Sequence, residues 1–64
     1  MELSEKIKLI RKTLRMSQKE FASEINCSQS IISAYELGIK KPSYDILIVL
    51  GVLIKKYKIK VSLL

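Results

Sequence analysis

The sequence has no histidine and only one cysteine, Cys27, in 64 residues. Without imidazoles, one thiol and scattered carboxylates offer no ligand spacing for zinc, and a lone cysteine closes no internal disulfide. The chain also lacks a glycine-rich phosphate loop and clustered carboxylates, so nothing supplies a tuned base or nucleophile. It reads as a non-enzyme that uses neither metal nor cofactor. Cys27 is expected to serve as a small apolar residue in a turn, with no chemical role. Long hydrophobic runs are missing as well. The most apolar stretch, residues 46–54, falls far short of the roughly 20 residues a membrane-spanning helix needs, and the first 14 residues carry too many charges for a signal peptide. These absences point to a soluble, cytoplasmic protein with no membrane partner. The length allows one domain, 1–64, near the lower limit for a core without disulfides or metals.

What is present in excess is positive charge. Twelve Lys and Arg face six Asp and Glu, a net charge of +6. Residues 1–32 hold six basic and four acidic groups, and residues 33–64 hold six and two, so the excess lies mainly in the second half. Such a balance favours an anionic partner such as nucleic acid or an acidic membrane surface.

Residues 17–38, SQKEFASEINCSQSIISAYELG, carry the most specific local pattern. Ser17 and Glu20 have the S-x-x-E spacing of a capping box, which starts a helix with Phe21, Ala22 and Ile25 on its apolar side. Asn26 tolerates the left-handed conformation and should stop that helix. Ser28 then caps a second helix with Ile32 and Tyr35 inward. Gln29, Ser30, Ser33 and Ala34 are left on the opposite, small and polar side. That side is suited to approach another surface.

Upstream, Ser4 is expected to cap a first helix with Ile7, Ile10 and Leu14 on one face and Leu9 beside them. A solvated helix face accounts for Lys6, Lys8 and Lys12. Downstream, Gly38 marks a helix stop, and a basic connection through Lys40 and Lys41 leads to Pro42 and a Ser43 cap. The helix that follows should bury Tyr44, Leu47, Leu50 and Ile54, with Gly51 admitting a neighbouring backbone. Ile46, Ile48, Val49, Val52 and Leu53 surround that stripe, more apolar surface than one small subunit can bury. Residues 57–63 alternate apolar and polar, the signature of an extended segment. A lone strand must lie over the core or pair with a second subunit, and the start of a fifth helix at Ser62 is the other possibility.

The stretch RMSQKEFASEINCSQSIISAYELGIKKPSYDIL resembles the helix-turn-helix of lambda repressor and Cro-like transcriptional regulators. The resemblance covers roughly residues 3–54. It rests on S-Q-x-x-F-A-x-x-I, the Ser28 cap, I-S-x-Y-E and G-x-x-x-P-S. It implies an all-α, compact domain of four to five short helices with a helix-turn-helix at residues 18–37, followed by a short C-terminal extended segment or fifth helix. By that resemblance Gln29, Ser30, Ser33 and Ala34 read base edges, with Gln29 suited to adenine and Ala34 to a thymine methyl. Gln18, Lys19, Ser28, Lys40 and Lys41 fall where phosphates are contacted, Gln18 also bracing the first Gln of the reading helix. Arg11 and Glu36 fall where relatives form a structural ion pair. Ile31 departs from the small polar residue common there.

The expected function is therefore sequence-specific binding of double-stranded DNA by a homodimeric repressor at an inverted repeat, with residues 55–64 as a dimerisation segment. The competing expectation is an antitoxin-like or other interaction module whose C-terminal segment docks on a protein partner.

Overall fold

The computed structural model describes residues 1–63 and contains four α-helices: α1 (Leu3–Thr13), α2 (Gln18–Glu24), α3 (Gln29–Glu36) and α4 (Tyr44–Lys56). Three begin at a serine cap. The hydroxyls of Ser17, Ser28 and Ser43 accept the N–H groups of Glu20, Ile31 and Ile46 at 3.1, 3.3 and 3.3 Å. Glu20 closes its capping box by accepting the Ser17 N–H at 2.8 Å. The first helix differs from expectation. It starts two residues earlier, with Glu2 as its cap and the Glu2 N–H donated to the Glu5 carboxylate at 2.9 Å. Ser4 therefore sits inside the first turn, because the reciprocal Glu2–Glu5 capping box satisfies the Glu2 and Glu5 N–H groups and starts the helix before Ser4 is reached.

All four helices end in one way. The residue after each C-cap is left-handed: Arg15 at φ 58°, Asn26 at 60°, Gly38 at 74° and Lys58 at 54°. The next N–H in each case reaches back to close the last turn, from Met16 to Arg11, Cys27 to Ala22, Ile39 to Ala34 and Ile59 to Ile54, at 2.8 to 3.2 Å. This Schellman geometry satisfies carbonyls that would otherwise lack partners and reverses the chain sharply enough for very short connections.

The helices converge on one core of Ile7 and Ile10 from α1, Phe21 and Ala22 from α2 with Ile25 at its end, Ile32 and Tyr35 from α3, and Leu50 and Leu53 from α4. Helix α3 packs on both α1 and α2, so its inward side is fixed by two neighbours. Helix α4 is rotated from the expected stripe. Leu50 and Leu53 are its buried residues, Leu47 and Ile54 are half-buried, and Tyr44 is 77% exposed at the first position of the helix, on the side away from Leu50 and Leu53. Gly51 admits no neighbour either, since a Cβ built there would meet nothing within 4 Å.

The segment after α4 forms neither a strand nor a helix among the described residues. Left-handed Lys58 turns the chain back, Ile59 enters the core, and Val61 and Leu63 pack against it. Of the two courses open to a lone extended segment, the chain takes the one over its own core. Leu64 lies outside the described residues.

Candidate nucleic-acid interface

Helix α3 is held inward by Ile32 and Tyr35 and turns its other side to solvent. Gln29 and Ser30 are exposed there, and Ser33 and Ala34 are half-buried. The Ser28 hydroxyl caps the helix and also lies 3.1 Å from the Ser30 hydroxyl, so the cap and the first outward serine share a hydrogen bond. Leu37, 70% exposed at the C-cap, was not singled out from the sequence. It stands seven residues after Ser30 and four after Ser33, on the same helical face, and that spacing was the signal available.

The last turn of α3 is clamped from two other helices. Arg11 of α1 grips Glu36 with two parallel hydrogen bonds, Nε to Oε2 at 2.6 Å and Nη2 to Oε1 at 3.0 Å, and its Nη1 donates to the Met16 carbonyl at 3.0 Å. Gln18 of α2 adds an Nε2 bond to Glu36 Oε1 at 3.3 Å. The brace that Gln18 makes therefore runs to the last turn of the helix. Both charged side chains are nearly out of solvent, 13% exposed for Arg11 and 5% for Glu36. Burial pushes the Glu36 carboxyl pKa upward, but hydrogen bonds from Arg11 and Gln18, with the charges of Arg11 and Lys8, outweigh it and hold the carboxyl below the ordinary glutamate value. The hydrogen bond to Glu36 raises the Arg11 pKa in turn. A fork-to-carboxylate pair of this kind fixes orientation as well as charge.

Cationic side chains stand on α2 and on the connection that follows α3. Lys19 is exposed in the first turn of α2, and Lys40 and Lys41 are exposed just past the end of α3. Lys40 and Lys41 border a cleft of about 110 Å³ shared with Glu2, Leu3 and Ser4, which seats the basic connection against the start of α1. Cys27 lies half-buried in the turn between α2 and α3, and burial pushes its thiol pKa up, away from thiolate chemistry.

Residues 7–52, most of the chain, match the helix-turn-helix family model. The chain belongs to the helix-turn-helix family. Its domain is of the type found in Cro/CI-like regulators, and domains of this type act in transcriptional regulation by binding DNA, without catalysis. Searches among curated proteins and among solved structures found no match. In this helix-turn-helix domain α2 and α3 are the two motif helices, and α3 is the one whose outward row meets solvent. Among the described residues no group of three His, Cys, Asp or Glu could hold a metal ion, and no helix is long and apolar enough to cross a membrane.

Proposed function

We propose that this protein is a sequence-specific regulator of transcription, a cytoplasmic repressor of the lambda repressor and Cro type, that binds double-stranded DNA as a homodimer. Helix α3 enters the major groove at each half of an inverted repeat. The observation that carries this reading is the seating of α3: capped by Ser28 at one end, clamped by Arg11 and Gln18 through Glu36 at the other, and lined outward by short side chains. A helix held this rigidly can present side chains to base edges without ordering them at the moment of binding. Gln29 is the main base reader, with Ser30 and Ser33 as hydroxyl partners, and Ala34 and Leu37 as apolar contacts for thymine methyls. Gln18, Lys19, Ser28, Lys40 and Lys41 meet phosphates and set register and affinity.

Selection of bound sequences from a random DNA pool tests the reading, followed by affinity measurements on the selected site and on random DNA. Gln29→Ala should lose about 1–3 kcal/mol on the selected site and relax one position per half-site. Lys41→Ala should weaken both DNAs alike and lower the salt dependence. Equal losses for Gln29→Ala on both DNAs would remove it as a base reader. The competing reading, docking of the C-terminal segment on a protein partner, has less support, because Ile59, Val61 and Leu63 are spent on the chain's own core.

A further inference from the structure

The outer side of α4 is apolar and left uncovered by the described residues. Tyr44, Ile48 and Val52 follow one another at four-residue steps and are 77, 49 and 58% exposed, while Leu50 and Leu53 on the opposite side are buried. Leu3, Leu47 and Leu63 join Tyr44 and Ile48 around an open groove of about 310 Å³, which widens the apolar surface beyond the helix itself. Gly51 lies at the edge of the same side with open space before it. A mid-helix glycine costs roughly 0.5–1 kcal/mol relative to alanine, and none of the described residues uses the room it leaves.

The charges on this side are ordered. Asp45 stands exposed in the first turn and Lys55 exposed in the last. At about 100° per residue, Asp45, Ile48, Val52 and Lys55 fall within one arc of roughly 80°. A second α4 laid antiparallel across a two-fold axis through the middle of this arc places each Asp45 opposite the partner's Lys55. The same register places each Ile48 opposite the partner's Val52. One face is thereby complementary to itself in both charge and apolarity, which is what an isologous interface requires.

We infer that α4 is a self-pairing seam. Two copies of this chain dock antiparallel through Tyr44, Ile48 and Val52, with Asp45 of each against Lys55 of the other. This deepens the homodimer reading by naming its interface, although the pairing needs no DNA. Stable interfaces take about 800 Å² from each partner, and one face of a 13-residue helix with its groove walls supplies less. The dimer is accordingly weak and reversible, and adjacent half-sites on DNA would consolidate it by raising the effective concentration.

Sedimentation equilibrium on the intact protein, from about 1 µM to about 1 mM, tests the seam. The wild type should show a monomer–dimer equilibrium. Ile48→Asp should raise the dimer Kd about tenfold or more while leaving thermal unfolding of the monomer nearly unchanged. Asp45→Lys should weaken pairing too, and adding Lys55→Asp should bring the Kd back to within about threefold of wild type. A wild type that stays monomeric throughout, an Ile48→Asp variant that dimerises normally, or a charge exchange that fails to restore pairing would each overturn the seam. Binding to a single DNA half-site, measured alongside, separates this from the DNA reading. If site preference is absent while the three variants behave as stated, the DNA reading fails and the seam stands. If site preference is intact while Ile48→Asp dimerises normally, the seam alone falls.

Discussion

Glu36 is the residue on which the seating of α3 depends. Removing its partner leaves a carboxylate with little access to solvent, and removal of one member of a buried pair typically costs 3–5 kcal/mol. Arg11 keeps some exposure, so Arg11→Met should destabilise by about 2–3 kcal/mol in urea unfolding, and adding Glu36→Leu should recover much of that loss. The pair also sets a pH dependence. The folded-state pKa of Glu36 lies below its unfolded value, so the unfolded chain binds the proton first as pH falls. Its contribution is complete above the ordinary glutamate pKa of about 4.3 and is lost as pH falls through the lower folded value. Glu20, held down by its bonds to Ser17, acts with the same sign. Urea midpoints should fall on acidification below about pH 4.5, and Glu36→Gln should flatten that slope.

Among the helices, two glycines have opposite meanings. Gly38 sits at φ 74° in the Schellman turn that ends α3, where a Cβ would meet Ser4 only at ordinary distances of 3.7 Å or more. The penalty for Gly38→Ala is thus backbone strain alone, about 1–2 kcal/mol, read as a lower thermal midpoint. Gly51 lies in regular helix with open space, so Gly51→Ala should stabilise the monomer by about 0.5–1 kcal/mol in the same assay. Arg15 and Lys58 take the left-handed position without glycine or asparagine, so the ends of α1 and α4 carry strain that no residue type announces. Serine caps at Ser17, Ser28 and Ser43 were readable because a hydroxyl oxygen has a local partner three residues on. The Glu2 cap was not, because serine at position 4 was the stronger local candidate, while the helix starts at the Glu2–Glu5 capping box two residues before it.

For the molecule as a whole, the proposed base-reading role of α3 and the proposed α4 pairing would together set what DNA it spans. A two-fold dimer with α3 in successive major grooves should protect an inverted repeat whose half-site centres lie about 34 Å apart, on one face of the duplex in hydroxyl-radical footprinting. Protected half-sites on opposite faces of the duplex, or at a spacing other than about one helical turn, would contradict that arrangement. Binding should weaken steeply with salt, because cationic side chains flank α3 and the net charge is +6.

By itself, the sequence determined what depends on short-range pattern: the all-α class, three of four caps, the left-handed stop at Asn26, the inward Ile32 and Tyr35, and the outward row from Gln29 to Ala34. Each of these follows from neighbours within a turn or two. Tertiary structure alone decided what depends on partners distant in the chain. It rotated α4 so that Tyr44 faces out, left Gly51 without a neighbour, and turned the tail inward at Lys58 to place Ile59 in the core. Helix α4 is apolar on nearly every side, so periodicity could not choose which side is buried, and in the tail alternation grouped Ile59, Val61 and Leu63 without saying what they would lie against. That choice fell to the space left between α1, α2 and α3, because burial follows shape once hydrophobicity is equal all round.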